Sequence, residues 1–288
     1  MNYYSPLRYP GGKGKIARFV SLLFEANLLS DGYYVEPYAG GASVGLSLLM
    51  KEYVSRIIIN DLDRSIYSFW HSVLYETETL CRMIAETEVS VENWRINREI
   101  QKQKQQHSLL ELGFSTFYLN RTNRSGIIMG GIIGGVGQTG KWKIDARFNK
   151  KDLISRIEKI SRYKSRITIY NLDACQLIKK MAQSLPSNTL FYFDPPYYAK
   201  GKDLYVNHYK YQDHKIVAKT IRDLRKCSWI VTYDNKLEIK GLYDSFRQIE
   251  YSLNYSATQP KVGTEVMIFS DNLCIPEVAN PAKLNARN

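Results

Sequence analysis

Cysteine and histidine are scarce in this chain of 288 residues, and neither is clustered. The four cysteines, Cys81, Cys175, Cys227 and Cys274, form no C-x-x-C pair of the kind that holds zinc or exchanges disulfides. The four histidines show no H-E-x-x-H spacing, which is typical of catalytic zinc sites. The sequence therefore predicts no metal site, and the cysteine pattern favours a reducing compartment.

Long apolar runs are also lacking. A membrane-spanning helix needs about 18 or more consecutive apolar residues, and the longest candidate, residues 126–137, is a short stretch of glycine and isoleucine. Residues 1–15 are polar, glycine-rich and basic, without the apolar centre of a signal peptide. We therefore expect a cytoplasmic protein that does not associate with membranes.

Positive charge is abundant. The chain has 40 Lys and Arg against 28 Asp and Glu, a net charge of +12. Residues 93–226 hold 26 of the basic and 10 of the acidic residues, so the rest of the chain is slightly acidic. A localised positive excess favours a polyanionic partner such as nucleic acid, whereas general solubility would not require it to be localised.

Strand and helix patterns alternate at both ends of the chain. Short β-branched or aromatic runs predict strands at 33–35, 56–59, 167–170, 189–193, 229–233, 249–253 and 266–269. Helical patterns at 16–29, 43–50, 150–162, 174–185 and 211–226 lie among these strands. This alternation predicts an α/β fold with a doubly wound, Rossmann-like sheet.

The middle of the chain has a different character. Residues 65–106 are helical in composition, and residues 115–144 contain many glycines, which favour mobile loops or a hairpin. We therefore predict a mostly helical insert at 66–147, which divides one sheet domain into residues 1–65 and 148–288.

The strongest motif is Asp194-Pro195-Pro196-Tyr197, directly after the apolar strand 189–193. An exocyclic aromatic amine is a poor nucleophile because its lone pair is delocalised into the ring. A carboxylate and a carbonyl that each accept one N–H favour the pyramidal nitrogen that can attack, and Asp194 and Pro195 can supply them. Two prolines fix the direction of that carbonyl, and Tyr197 offers a ring on which a base can stack.

Other candidates lie in the first 65 residues. Glu36, Tyr38 and Gly40 belong to a small-residue turn between a predicted strand and helix, where a ligand can approach the backbone. Asp61, about 20 residues further on, is placed to take ribose hydroxyls, and the spacing favours it over Asp63. Residues 9–13, Y-P-G-G-K, set an aromatic ring and a cation beside bare backbone.

Residues 9–13, 36–42, Asp61 and 194–197 together resemble the Dam-like (D12 class) adenine-N6 DNA methyltransferases. The resemblance spans most of the chain and includes the order of the motifs, Phe117 to Thr122 with Gly126, and later segments at 233–235 and 253–256. It implies S-adenosylmethionine as methyl donor and double-stranded DNA as substrate. It also implies that Tyr9 and Lys13 flank the cofactor, that Asp61 holds its ribose and that Asp173 lies near its adenine.

The resemblance further implies that the insert recognises the target sequence. Candidate DNA contacts are Arg8, Arg121, Asn123, Arg124 and Lys141, with Arg147 as a further possibility. Arg can bond guanine and Asn adenine at two points each, although a phosphate contact is an equal alternative for each residue. We expect a monomer when free, and a cognate restriction endonuclease as a possible partner.

Three alternatives remain open. The D-P-P-Y chemistry suits any exocyclic amine, so cytosine-N4 methylation of DNA is the nearest. Adenine methylation of RNA is the second. A catalytically idle DNA-binding protein is the third, although such a protein has no use for the two acceptors at Asp194 and Pro195.

Overall fold

The computed structural model describes residues 4–8, 13–198, 209–255 and 261–284. It divides the chain into two compact units. Of the described residues, those of 13–62 and 166–284 belong to unit 1, and those of 4–8 and 63–165 belong to unit 2. Tyr9 and most of the predicted Y-P-G-G-K segment lie outside the described residues.

Unit 1 is built on a seven-stranded sheet. Its strands are β1 Gly32–Glu36, β2 Val54–Asn60, β3 Ile167–Tyr170, β4 Thr189–Phe193, β5 Ser228–Asp234, β6 Arg247–Tyr255 and β7 Lys261–Phe269. The order across the sheet is β3-β2-β1-β4-β5-β7-β6. The first five strands in this order are parallel, and β7 runs antiparallel to both β5 and β6. The predicted doubly wound, Rossmann-like α/β fold is confirmed by this order.

The helices of unit 1 are α1 Ala17–Ala26, α2 Ser43–Met50, α8 Ala174–Met181, α9 Tyr211–Arg222 and α10 Leu237–Leu242. Every residue of β4 and β5 is buried. Such strands are covered on both faces, which explains why their sequences are nearly continuous apolar runs. Leu177, Val217, Ile221 and Trp229 are among the side chains of one core cluster of this unit.

Unit 2 is helical. Its α-helices are α3 Arg64–Tyr75, α4 Thr77–Glu86, α5 Val91–Lys102, α6 Leu109–Thr122 and α7 Lys150–Ser161. Helix α6 packs against α3 and α5, and α7 packs against α3 and α4. The helices α3 and α6 approach closely at Gly113, where a Cβ atom would lie 2.5 Å from Ser72 Oγ. Because α7 joins this unit, the boundaries at 63 and 165 extend beyond the predicted insert of 66–147.

The prediction of loops or a hairpin over residues 115–144 is wrong for its first eight residues, which continue helix α6. Ten residues of this helix are buried, and Phe117, Tyr118 and Asn120 are among them. A helix enclosed on all sides lacks the amphipathic period by which surface helices are recognised. Its start is stabilised by a capping box between Ser108 and Glu111.

The rest of that segment consists of turns around an isolated antiparallel bridge between Asn123 and Ile132. The side chain of Gln138 organises the turn. Its Nε2 donates to the carbonyl oxygens of Ile133 and Gly135 at 2.9 and 2.6 Å, and its Oε1 accepts from the Ile144 N–H at 2.8 Å. Residues 123–144 therefore form turns and loops as predicted, whereas their mobility stays a prediction.

None of the described helices has the length and apolar character needed to cross a membrane. The four cysteines are free thiols. Cys81 and Cys227 are buried, whereas Cys274 is exposed.

Candidate active site

The site lies at the carboxyl ends of the parallel strands of unit 1. Glu36 is the last residue of β1, and Asp194 directly follows β4. These two strands are neighbours at the point where the strand order reverses, β1 leading to β2 on one side and β4 leading to β5 on the other. A crevice at such a switch point is the usual ligand site of an open α/β sheet.

Asp194 is held by one of its two carboxylate oxygens. Oδ1 accepts a hydrogen bond from Thr232 Oγ1 at 2.9 Å and lies 3.2 Å from Lys13 Nζ. Within the described residues both contacts fall on Oδ1, so Oδ2 is the oxygen that an incoming N–H can reach. The side chain is 21% exposed. Burial raises the pKa of Asp194 to about 6, against the opposing effect of Lys13.

The turn after Asp194 is fixed from the neighbouring strand. Pro195 and Pro196 are buried, and the Tyr198 N–H donates to Asp234 Oδ1 at 2.9 Å. Asp234 is the last residue of β5. The proline pair and this hydrogen bond together restrain the carbonyl groups of the turn.

Lys13 lies at the centre of a buried polar cluster. Its ammonium donates to Tyr197 Oη at 2.5 Å and to the two oxygens of Glu265 at 3.0 and 2.9 Å. The hydroxyls of Tyr197 and Tyr251 both donate to Glu265. We call Lys13, Tyr197, Tyr251 and Glu265 the Glu265 cluster. It joins Lys13 to the D-P-P-Y turn, a contact that the predicted role of Lys13 beside the cofactor did not include.

Tyr197 was predicted as a stacking surface for a base. Its side chain is buried, with 3% of the residue exposed, and Lys13 Nζ lies 4.9 Å from the centre of its ring. Stacking of a base on Tyr197 therefore stays a prediction, and the observed contacts fix its hydroxyl in the Glu265 cluster.

Thr232 and Glu265 are residues that sequence reasoning missed. Thr232 lies within β5, and its Oγ1 also contacts Tyr192 Oη at 2.8 Å. Glu265 is fully buried within the largely apolar segment 262–269 of β7. An acidic residue inside an otherwise apolar strand is the signal that could have identified it, since such a charge is almost never buried without a partner.

The carboxyl group of Glu36 is buried, and only one of its two oxygens has hydrogen-bond partners among the described residues. Its Oε1 accepts from Tyr34 Oη at 2.9 Å and from the Gly45 N–H at 3.2 Å. Its Oε2 is buried without a hydrogen-bond partner among the described residues. Burial raises the pKa of Glu36 to about 8, although the two donors oppose this effect. An unpaired buried oxygen of this kind is a candidate ligand group.

In the turn after β1, a backbone N–H group donates a hydrogen bond to the side chain of Asp61. Gly40 has a positive φ of 45°, and its N–H donates to Asp61 Oδ2 at 3.0 Å. Asp63, the competing acid, instead caps helix α3 through the Ser65 N–H and pairs with Lys104 at 2.7 Å. The geometry thus joins Asp61, rather than Asp63, to the predicted cofactor turn.

Two further cofactor candidates have local structural partners. Asp173 caps helix α8 by accepting from the N–H groups of Cys175 and Gln176 at 2.9 and 3.2 Å. The Tyr38 hydroxyl contacts Tyr209 Oη at 3.3 Å. Both residues are only half-buried. Their proposed contacts with a cofactor remain predictions.

These residues fit an adenosyl cofactor with a charged amino-acid moiety. The unpaired Glu36 Oε2 suits a cationic amino group, the turn at Gly40 offers close backbone approach, and Asp61 and Asp173 are acceptors for hydroxyl and amino groups. Within the described part of the chain, no cluster of three His, Cys, Asp or Glu side chains could hold a metal ion.

The DNA-contact candidates of unit 2 fall into two groups. Asn123 is fully buried, its Oδ1 accepting from Trp94 Nε1 at 2.6 Å and its Nδ2 donating to the carbonyls of Ile127 and Ile128 at 2.9 and 2.7 Å. Its amide organises the turn, and these contacts disfavour the predicted reading of adenine. Arg124 and Lys141, in contrast, are exposed.

Arg8 and Arg121 are half-buried. The Arg121 guanidinium donates to the carbonyl oxygens of Arg147 and Pro6 at 2.6 and 3.5 Å. Burial, together with Arg8 and Arg156 nearby, lowers the pKa of Arg121 to about 10, so it stays charged at neutral pH. The main chain of Arg8 is fixed by Asn120, which accepts from its N–H and donates to its carbonyl, both at 2.7 Å. The charges of Arg8, Arg121, Arg147 and Arg156 are therefore close enough to influence one another.

The sheet order is that of Rossmann-like methyltransferases, and the D-P-P-Y turn lies at its switch point. This class of fold implies S-adenosylmethionine as the methyl donor. Residues 9–257 match the D12 class N6 adenine-specific DNA methyltransferase family. The chain belongs to this family, and the resemblance predicted from its motifs is confirmed.

Individual relatives are more distant. The modification methylase StsI of Streptococcus sanguinis is 28% identical over 94 residues, which are 33% of this chain and 13% of that protein. The matched stretch therefore spans a small part of that relative. Among solved structures, the protein PH1948 of Pyrococcus horikoshii aligns over 92% of this chain and 85% of its own, at 9% identity and a TM-score of 0.43. The rRNA methyltransferase aviRa of Streptomyces viridochromogenes aligns over 88% and 83%, at 11% identity and a TM-score of 0.33.

Proposed function

We propose that this methyltransferase acts on the N6 amino group of adenine within a specific sequence of double-stranded DNA, on a base flipped out of the duplex. The observation that carries the proposal is the Asp194 carboxylate, which is fixed through Oδ1 and can accept an N–H through Oδ2. Family membership supports adenine as the base. An amine inside a duplex cannot reach such a site, so the base must leave the stack.

The residues of the turn act by position and charge. Asp194 Oδ2 and the Pro195 carbonyl accept the two amine hydrogens, which directs the nitrogen lone pair toward the methyl group. The bound cofactor supplies that methyl group on a positively charged sulphur. As the nitrogen gains positive charge, the fixed carboxylate stabilises it without reorganisation. The proton leaves after the transfer, because the methylated amine is far more acidic than the neutral one. Asp194 therefore need not be a strong base.

For the cofactor, we propose that Glu36, Gly40, Asp61 and Asp173 form the binding surface, with Tyr38 beside it. Tyr9 would add an aromatic contact, although it lies outside the described residues. The contact with the clearest consequence is that of Glu36 Oε2 with the cationic amino group of the cofactor. This contact would satisfy the buried oxygen and would favour the ionised carboxylate.

Cofactor binding is accordingly expected to release a proton from Glu36. The pKa of this residue is about 8 in the free protein, so the carboxyl is largely protonated at pH 7. A cation at Oε2 lowers that pKa, and affinity should therefore rise as the pH increases from 6 to 8. Titration calorimetry in two buffers of different ionisation enthalpy measures the released proton. We expect Glu36→Gln to bind about tenfold more weakly and to release none.

The control is Glu25→Gln, which changes an exposed carboxylate of α1 that pairs with Arg18. It should bind the cofactor like the wild type, with the same proton release. A Glu36→Gln variant with wild-type affinity and the same pH dependence would show that Glu36 does not hold the cofactor.

The positive charge of the chain supports DNA as the substrate. Arg124 and Lys141 are exposed beside the glycine-rich turns, and both belong to the basic region 93–226. An exposed arginine can bond guanine at two points in the major groove. We propose that Arg124 reads a base, whereas Arg8, Arg121 and Lys141 contact phosphates, which makes binding strongly salt-dependent.

Substitution Arg124→Ala is therefore expected to reduce discrimination between target and non-target duplexes by about 1–3 kcal/mol. Affinity for non-target DNA should change little. Lys141→Ala is the comparison, since loss of a phosphate contact weakens all sequences alike and reduces the salt dependence. Equal weakening of target and non-target binding in Arg124→Ala would remove this residue from base recognition.

The overall proposal is tested by incubating the purified protein with labelled S-adenosylmethionine and DNA, followed by nucleoside analysis. N6-methyladenine is the expected product. N4-methylcytosine would overturn the base assignment, and labelling of RNA but not DNA would overturn the substrate. Methylation-aware sequencing of DNA from expressing cells would then give the target sequence. A gene for a nuclease that cleaves the unmethylated target would indicate a restriction–modification pair.

A further inference from the structure

Glu265 is a buried carboxylate of unit 1 that the chemistry above does not use. It lies on β7, opposite Asp234 of β5 and Tyr251 of β6. The residue is fully buried. It accepts hydrogen bonds from Lys13 through both oxygens and from the hydroxyls of Tyr197 and Tyr251. Four hydrogen bonds compensate the cost of burying this charge.

Lys13 is shared between two carboxylates. Its ammonium lies 2.9 Å from Glu265 Oε2 and 3.2 Å from Asp194 Oδ1. With all three groups ionised, the trio has a net charge of −1. Without Glu265 the charge would be zero, and the ammonium would have Asp194 as its carboxylate partner in this trio.

That difference bears on the reacting amine. A cation paired fully with Asp194 competes with the amine hydrogens for the carboxylate, and it opposes the positive charge that develops on the nitrogen. Glu265 attracts the ammonium toward β7 and offsets its charge. The Tyr197 hydroxyl is fixed by the same carboxylate, which connects Glu265 to the last residue of the D-P-P-Y turn.

We propose that Glu265 is a positioning residue for methyl transfer: it holds Lys13 and the Tyr197 hydroxyl, and so leaves Asp194 Oδ2 and its negative charge available to the amine. This inference rests on the proposed function of Asp194 as the amine acceptor. Glu265 acts through its hydrogen bonds with Lys13 and Tyr197.

The pH profile distinguishes this role from a purely structural one. The titratable and charged groups of the described residues that influence or contact Asp194 are Lys13, Glu265, Glu36, Tyr34, Tyr192, Tyr197, Tyr233 and Tyr251. Burial raises the pKa of Asp194 to about 6, Lys13 lowers it and Glu265 raises it. Methyl transfer requires the ionised carboxylate, so kcat falls as the pH decreases through about 6. We call this fall in rate at acidic pH the acid limb of the profile. Removal of the Glu265 charge lowers the pKa of Asp194, so the acid limb must move to lower pH.

The experiment compares single-turnover methylation of duplex DNA by the full-length wild type and by Glu265→Gln across pH 4.5 to 8. We expect the variant to be about 10- to 100-fold slower at pH 7.5, with affinities for cofactor and DNA within about twofold of the wild type. Its acid limb should lie at lower pH. Glu250→Gln, on the adjacent strand β6, is the matched control, because its exposed carboxylate pairs with Lys240 at 2.7 Å. It should keep the wild-type rate and limb.

Glu265→Asp is the second variant, and it keeps the proposal testable if Glu265→Gln does not fold. It retains the charge but shortens the side chain by one methylene, so we expect a slower reaction with the acid limb close to that of the wild type. An unshifted limb in folded Glu265→Gln, or a wild-type rate in Glu265→Asp, would overturn the inference. Absence of N6-methyladenine from the wild-type reaction would instead overturn the proposed function.

Discussion

Substitution Asp194→Ala is expected to reduce methyl transfer by about 10³-fold or to below detection, with DNA binding unchanged. Removal of one preorganised electrostatic group from an active site costs about 10²–10³-fold, and this carboxylate also orients the nucleophile. Single-turnover transfer of labelled methyl groups measures the rate, and a filter or fluorescence assay measures DNA affinity. Cofactor affinity should change much less than the rate.

The structure indicates why the variant should fold. Lys13 keeps Glu265 as a partner at 2.9 Å when Asp194 is removed, so no buried cation is left unpaired. Asp223→Ala, at an exposed position after α9, is the control for loss of an aspartate and should be fully active. If Asp194→Ala retained substantial activity, the assignment of Asp194 as the amine acceptor would be wrong.

Asp194→Asn separates charge from shape. The amide keeps the size of the side chain and one oxygen acceptor, but it has no negative charge to stabilise the nitrogen as it becomes positive. We expect it to be nearly as inactive as the alanine variant. An active Asp194→Asn enzyme would instead indicate that orientation by a neutral acceptor is sufficient.

Much of unit 1 could be predicted from sequence because its strands are nearly continuous apolar runs that end in chemically distinctive residues. The run 189–193 followed by Asp194 shows this, as does the strand ending at Glu36. Parallel strands bring their carboxyl ends to one edge of a sheet, so motifs far apart in sequence could be placed together. Spacing alone could also favour Asp61 over Asp63.

Glu265 could not be placed in the same way. Its proximity to Asp194 depends on β7 inserting antiparallel between β5 and β6, a pairing between distant segments that sequence period does not specify. Asn123 shows the converse difficulty. Its residue type suits adenine recognition, but Trp94, 29 residues earlier, and the turn carbonyls occupy its amide. Tertiary contacts determine which polar side chains are hydrogen-bonded within the protein, and sequence alone does not specify these contacts.

The second large effect is expected at Gly126, in unit 2. Its φ is +76°, and a Cβ atom there would lie 2.2 Å from the Arg8 carbonyl oxygen. A left-handed conformation costs a non-glycine residue about 1–2 kcal/mol. The clash adds to this, because the Arg8 backbone is fixed by Asn120, which also donates to the Gly126 carbonyl at 2.8 Å. Gly126→Ala should therefore destabilise unit 2 by about 3 kcal/mol.

Gly135→Ala is the matched control, since it isolates the conformational cost from the clash. Gly135 has the same φ of +76°, yet a Cβ atom there meets nothing within 4 Å. We expect it to lose about 1 kcal/mol. Denaturant unfolding followed by tryptophan fluorescence measures both variants, because Trp70, Trp94 and Trp142 of the four tryptophans belong to unit 2. If the two variants were equally stable, Gly126 would not be required for the close approach of Arg8. The larger loss in Gly126→Ala would show that the close approach of Gly126 to the Arg8 backbone contributes to the stability of unit 2.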